Sequence, residues 1–229
     1  MHNNTVTDIF FDLDHTLWDF DRNSFLAFKR VFNTFGIKLK VERFTAVYEP
    51  INVAYWKLYR EEKVSKEQLR RGRLIDAFEH FEMNFSLQRI DDMAVSYIDE
   101  LPLDNHLFDG AIEILDYLIE KYTLHIITNG FEEVQHIKLM NSGIHGYFKT
   151  VTSSEEVGLK KPNPVVFKTA LEKADVLKQS SLMIGDSFEA DILGAEAFGM
   201  RTLFFNYRQE KVPPGYLSID RLLEIKNHL

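Results

Sequence analysis

Short apolar runs alternate with stretches of helical period along most of this chain, and that alternation restricts its fold more than any other feature. The runs fall at residues 9–11, 124–127, 149–152, 182–184 and 202–205. Each is the length of a strand buried on both faces. Between them, Phe108, Ile112, Leu115, Ile119 and Tyr122 mark one helical stripe. Val134, Ile137 and Met140 mark a second, with Gly143 placed to end it. Pro162 and Pro164 lead into a helix carrying Phe167, Ala170, Leu171 and Ala174, and Ile192, Ala195 and Phe198 form a stripe that stops at Gly199. Strands and helices in this order predict an α/β fold with a doubly wound, Rossmann-like parallel sheet.

The first strand is followed by something else. From about residue 23 to 101 the pattern is helical throughout. Phe25, Phe28, Phe32 and Phe35 share one face, ended by Gly36, and Phe44, Val47, Tyr48, Ile51, Tyr55 and Leu58 share another. Ser65 with Gln68 reads as a capping box opening a third helix, with Leu69, Leu74, Phe78 and Phe81. Ile90, Met93, Ala94, Tyr97 and Ile98 mark a fourth. The expected organisation is a Rossmann-like core of residues 1–18 and 104–229 with a four-helix-bundle cap at 19–103. Short crossings at 18–22 and 101–105 suit the bundle to act as a lid. The aromatic stripes read as bundle core rather than a cofactor box.

Composition narrows the partners. A net charge of -8 argues against a nucleic-acid polymer, whose backbone is bound through Lys and Arg. It leaves open a small phosphorylated ligand, which needs only a few local cations or a metal. The chain has no Cys, so disulfides, thiolate zinc sites and a thiol nucleophile are excluded. Residues 1–8 lack a basic start followed by an apolar stretch, and no apolar run approaches the ~20 residues of a membrane helix. A cytoplasmic protein with no membrane partner, monomeric or a weak homodimer, is the expectation.

In an open parallel sheet, ligands bind beyond the carboxyl ends of the strands. After the first run come Asp12, Asp14 and Thr16, after the second Thr128, Asn129 and Gly130, and after the fourth Asp186, Ser187 and then Asp191. Lys161 stands at the entry to a helix. Taken singly, each has an ordinary explanation: Asp12 and Asp14 as a solvated strand-end turn, Thr128 and Asp186 as helix caps, Lys161 as a surface lysine. Together they place three acids, a hydroxyl, an amide and a lysine on one edge, a set suited to phosphate or metal.

Asp12-x-Asp14-x-Thr16, Thr128-Asn129-Gly130, Lys161-Pro162 and Gly185-Asp186-Ser187 with Asp191 resemble, in order, the four motifs of the haloacid dehalogenase-like hydrolase superfamily. The helical insert stands where that family carries its type I cap, and the pattern looks most like its nucleotidase branch. The resemblance implies Asp12 as nucleophile and Asp14 as proton carrier. It implies Mg2+ held by Asp12, the Asp14 carbonyl and Asp186, and phosphoryl oxygens held by Thr128, Asn129, Gly130 and Lys161. Asp191, Ser187 and Thr16 would support them. Asp14 further implies phosphoester chemistry, because a halide leaves without a proton and an alcohol does not.

Where many members of that family have Gly, this chain has His15, which could touch the leaving group or turn to solvent. Trp18 could stack on a base or pack the hinge, and Arg70, Arg71 and Arg73 could reach substrate or face water. The implied activity is a Mg2+-dependent phosphatase acting on a small phosphorylated metabolite such as a nucleoside monophosphate. A phosphomutase resembling β-phosphoglucomutase is the alternative. A receiver-like signalling domain would show a different residue order and about half the length.

Overall fold

A computed structural model describes residues 5–229. The chain divides into two compact units, one running through Phe20 and resuming at Asn105–Leu229, the other comprising Asp21–Asp104.

The first unit is built on six parallel strands: β1 (Asp8–Phe11), β2 (Thr123–Thr128), β3 (Phe148–Ser153), β4 (Ser181–Gly185), β5 (Arg201–Phe205) and β6 (Ser218–Ile219). Their order is β3-β2-β1-β4-β5-β6. All four residues of β1 are buried, which matches the uninterrupted apolar run Ile9-Phe10-Phe11. Phe11 pairs with Ile126 on one side and Ile184 on the other. The strand order reverses at β1, so the residues leaving its carboxyl end open into the crevice where such sheets bind ligands. Asp12 is the first of them. The sixth strand escapes the sequence reading because two residues carry no period.

The helices of this unit are α5 (Ala111–Ile119), α6 (Glu132–Asn141), α7 (Ser154–Val157), α8 (Pro164–Ala174) and α9 (Gly194–Phe198). The last continues a π-helical turn at Phe188–Leu193. Phe167, Ala170, Leu171 and Ala174 of α8 pack with Phe10, Ile127 and Met183 as their spacing predicts. Two other stripes are corrected. On α5 the buried face is Ala111, Ile114, Leu115 and Leu118, while Ile112 and Ile119 are exposed. That helix is apolar nearly all round, so period alone does not choose its inner face. On α6 the buried residues are Val134, Gln135, Lys138 and Leu139, and Ile137 and Met140 are exposed. Here an acid near the end of β1 draws polar side chains inward.

Within the sheet, the fully buried His125 sits with Nδ1 2.8 Å from Thr150 Oγ1 and Nε2 3.1 Å from Asp8 Oδ1. Burial holds its pKa below the usual value, against the opposing pull of Asp8. A depressed histidine pKa means that the unfolded chain takes up a proton the folded one resists as pH falls below about 6.5. Between pH 7.5 and 5.5 the parent is therefore expected to lose stability relative to His125→Asn. Urea denaturation at both pH values checks this, and parallel behaviour of the two proteins would contradict it.

The second unit contains α1 (Phe20–Thr34, entering from the first unit), α2 (Val41–Arg60), α3 (Lys66–Glu79) and α4 (Leu87–Glu100). Gly36 follows α1 at φ +64°, and Ser65 and Gln68 form the reciprocal capping box at the start of α3. Phe28 lies at the centre of an aromatic cluster, its ring 4.4 Å from Tyr97, 4.6 Å from Tyr48 and 4.9 Å from Phe44. Arg71 bonds Asp91 at 2.7 and 2.8 Å through two guanidinium nitrogens. Arg73 is buried, bonds Asn52 Oδ1 at 2.8 Å and lies over the Tyr48 and Tyr97 rings. Arg70 is half-buried. Arg71 and Arg73 are thus engaged within the helical unit.

Candidate active site

Asp12 is buried at the end of β1, and its Oδ1 accepts a hydrogen bond from Lys161 Nζ at 2.7 Å. The same ammonium lies 2.6 Å from Asp191 Oδ1 and donates to the Ile127 carbonyl at 2.6 Å. Lys161 reaches this position because Asn129 braces its main chain. Lys161 N donates to Asn129 Oδ1 at 2.8 Å, and Asn129 Nδ2 donates to Lys161 O at 3.0 Å. The amide of the Thr128-Asn129-Gly130 segment therefore sets the lysine in place.

Asp191 comes from the π-helical turn, a feature that often marks functional sites. Its Oδ2 accepts from Ser187 N at 3.0 Å, and Ser187 Oγ caps the turn at Ala190 N, 3.2 Å away. Gly185 is required beneath it, since a Cβ there would lie 2.3 Å from Asp191 Oδ2. Asp186 is held by Thr16: Thr16 Oγ1 donates to Asp186 Oδ1 at 3.3 Å and accepts from Asp186 N at 3.1 Å.

Asp12, Asp186 and Asp191 each offer a carboxylate oxygen, and these oxygens lie within 4.8 Å of one another. The Asp12 carboxyl is raised to about 7, foremost by burial, with Lys161 opposing the rise and Asp191 and Asp14 adding to it. Desolvation and the charges of Asp12 and Asp191 hold Asp186 well above the usual range, with Arg208 and Lys161 opposing. Burial pulls Lys161 down, but Asp12 and Asp191 outweigh it and raise its pKa. Lys161 within the cluster and Arg208 acting on Asp186 leave three acids short of positive charge. Asp191 already spends one oxygen on Lys161 and the other on Ser187 N. Asp12 and Asp186 remain as hard oxygen donors, a set that fits Mg2+ and would be relieved by it.

The second acid belongs to a separate group. Asp14 Oδ1 accepts from Lys138 Nζ at 2.6 Å, and its Oδ2 accepts from Gln135 Nε2 at 3.0 Å. Gln135 Nε2 also donates to Thr128 Oγ1 at 2.6 Å, and Gly130 N donates to the same hydroxyl at 3.1 Å. A Cβ on Gly130 would stand 1.9 Å from Gln135 Nε2, so a side chain there would displace the Gln135 amide from Asp14 and Thr128. Gln135 and Lys138 belong to none of the sequence motifs. Their signal is a polar pair spaced i,i+3 on one helix face, directly after the Thr-Asn-Gly segment.

His15 packs toward Phe20 and the residues that follow β5, with Arg208 Nη2 3.3 Å from its Nδ1. Its φ is +65°, its ring is 4.7 Å from Phe20, and Nδ1 lies 2.9 Å from Tyr207 Oη. Trp18 is fully buried, with Nε1 donating to Asn105 Oδ1 at 3.4 Å and Lys138 Nζ 4.3 Å from its ring centroid. That packing leaves no open ring face for a base.

A doubly wound parallel sheet with a lysine-paired carboxylate at its switch point, a second acid two residues on and a hydroxyl at the neighbouring strand end defines a class of α/β hydrolase. The chain belongs to the haloacid dehalogenase-like hydrolase family, whose pattern matches residues 9–205. It is 33% identical over 210 residues to pyrimidine 5'-nucleotidase YjjG of Escherichia coli K12, covering 90% of this chain and 89% of that one. It is 34% identical over 204 residues to pyrimidine 5'-nucleotidase PynA of Streptococcus pneumoniae, covering 86% and 83%. The crystal structure of the HAD-hydrolase YfnB from Bacillus subtilis, bound to magnesium, superposes with a TM-score of 0.89 at 27% identity, covering 98% of this chain and 99% of that one. Among the described residues, no helix is long and apolar enough to cross a membrane.

Proposed function

We propose that this protein is a Mg2+-dependent phosphomonoesterase that hydrolyses a small phosphorylated metabolite, a nucleoside monophosphate above all, through an aspartyl phosphate on Asp12. The observation that carries the reading is Asp14. A halide departs without a proton, whereas the alkoxide of a phosphoester needs one, and this site holds a second acid for it. Two nucleotidase relatives that align along most of the chain support the nucleotide substrate.

Asp12 attacks phosphorus, its carboxylate fixed by Lys161 at 2.7 Å. Thr128 and the main-chain amide of Asn129 hold the phosphoryl oxygens, and Lys161 faces the charge that develops there. Asp14 gives its proton to the departing oxygen, then takes one from the water that cleaves the aspartyl phosphate. Mg2+, when held by Asp12, Asp186 and the Asp14 carbonyl, would neutralise phosphoryl charge. Asp191 positions Lys161.

Phosphate release from a panel of phosphorylated metabolites in Mg2+ tests the reading, with pyrimidine nucleoside monophosphates expected to rank high. A phosphomutase would release little phosphate, and dehalogenation of a haloacid would overturn the assignment. EDTA is expected to abolish turnover. Saturating Mg2+ is expected to raise the melting temperature, since a ligand at 100 times its Kd adds about 2.7 kcal/mol. A melting curve indifferent to Mg2+ at pH 8 would rule out the metal site.

A further inference from the structure

Asp14 is half-buried, yet both of its carboxylate oxygens are taken by side chains that are nearly inaccessible. Lys138 is 3% exposed and Gln135 2% exposed. They lie one helical turn apart on the same face of α6, flanked by the buried Val134 and Leu139. A lysine seldom faces inward on a short helix while Ile137 and Met140 of that helix face water. Lys138 is held there by the Asp14 carboxylate at 2.6 Å and by the Trp18 and Phe20 rings at 4.3 and 5.4 Å from Nζ. Gln135 ties the same carboxylate to Thr128, and Gly130 leaves the space it needs.

We infer that Lys138 and Gln135 are positioning residues that fix the Asp14 carboxyl for proton transfer to the leaving oxygen. This inference rests on the phosphomonoesterase reading above. In the first step a carboxylate oxygen of Asp12 bonds to phosphorus as the bond from phosphorus to the leaving oxygen breaks. The electron pair goes to that oxygen, which receives the proton of the Asp14 carboxyl. The carboxylate left behind is the form that the Lys138 ammonium and the Gln135 amide hold in place as base for the second step. A carboxyl on a short side chain, free to rotate at the edge of a sheet, would meet that oxygen only part of the time. Two fixed donors, one on each oxygen, hold it to a single orientation.

The leaving group supplies the test, because kcat/KM reports the steps up to departure of the alcohol. Uridine 5'-monophosphate and glycerol 3-phosphate release alkoxides that require a proton; p-nitrophenyl phosphate releases a phenolate that does not. Lys138→Met is expected to lower kcat/KM roughly 100-fold on the two alkyl esters and less than about 5-fold on p-nitrophenyl phosphate. Lys138→Arg should restore most of the loss, and Gln135→Met should show the same split more weakly. Gln135→Met carries the test if Lys138→Met does not fold. Equal losses on all three substrates would assign Lys138 and Gln135 to phosphoryl binding or packing and overturn the inference, as would no loss. Asp14→Asn separates the two levels. If it shows no leaving-group split, the role of Asp14 falls; if it does and the Lys138 and Gln135 variants do not, only the positioning role falls.

Discussion

Asp12→Asn is expected to lower phosphomonoester turnover by on the order of 10^4-fold or more while leaving the fold in place. The loss follows from the chemistry, since an amide oxygen is too poor a nucleophile to carry the phosphoryl group. The survival of the fold follows from the surroundings. Asparagine keeps the shape of the side chain and an oxygen for Lys161, which retains Asp191 as counter-ion at 2.6 Å. The parent carboxyl is pushed up to about 7, foremost by burial. A carboxyl raised in the folded state costs stability as pH climbs from its unfolded value near 4 through 7. Removing it lifts that cost, so metal-free Asp12→Asn should melt no lower than the parent at pH 8. The variant should also lose most of the Mg2+-dependent rise in melting temperature, because one of the two carboxylates that would hold the ion is gone. Phosphate release and thermal melts with and without Mg2+ read all three outcomes. Activity within 10-fold of the parent would remove Asp12 from the nucleophile's role.

The sheet and its site were legible because the two signals reinforce each other. Four strands announce themselves as apolar runs and β3 by its β-branched Thr150-Val151-Thr152, and where Ile9-Phe10-Phe11 gives way to Asp12 the period and the chemistry change at the same residue. The four inserted helices were legible from stripes of Phe and Tyr and from the Ser65–Gln68 cap. What the sequence hid was the inner face of α6. Apolar residues are assigned inward by default, and Ile137 and Met140 fit that rule. Lys138 and Gln135 override it only because an acid 124 residues away from Lys138 in the chain arrives beside them. A local period carries no information about a partner so distant. The bracing of Lys161 by Asn129 across 32 residues was hidden for the same reason.

Lys161→Met is expected to affect stability and turnover together, which separates it from Asp12→Asn. The ammonium is buried between Asp12 at 2.7 Å and Asp191 at 2.6 Å, near Asp186. Taking it away leaves three acids without their nearest cation, and breaking a buried ion pair from one side costs about 3–5 kcal/mol. The acids can escape the cost by taking up protons. Asp12 and Asp186 already sit above the usual carboxylate range with Lys161 present, and without it they move higher. A carboxyl raised in the folded state favours folding as pH falls toward its unfolded value near 4. The variant should therefore be far less stable than the parent at pH 8 and recover much of the difference at pH 5.5. Mg2+ at pH 8 should restore part of it by supplying the missing positive charge. Turnover should fall by about 10^3-fold even where the protein is folded, since no cation then faces the phosphoryl oxygens from that side. Urea denaturation at the two pH values, with and without Mg2+, measures the first effect and phosphate release the second. A stability loss that does not change with pH would show that Lys161 serves packing rather than charge.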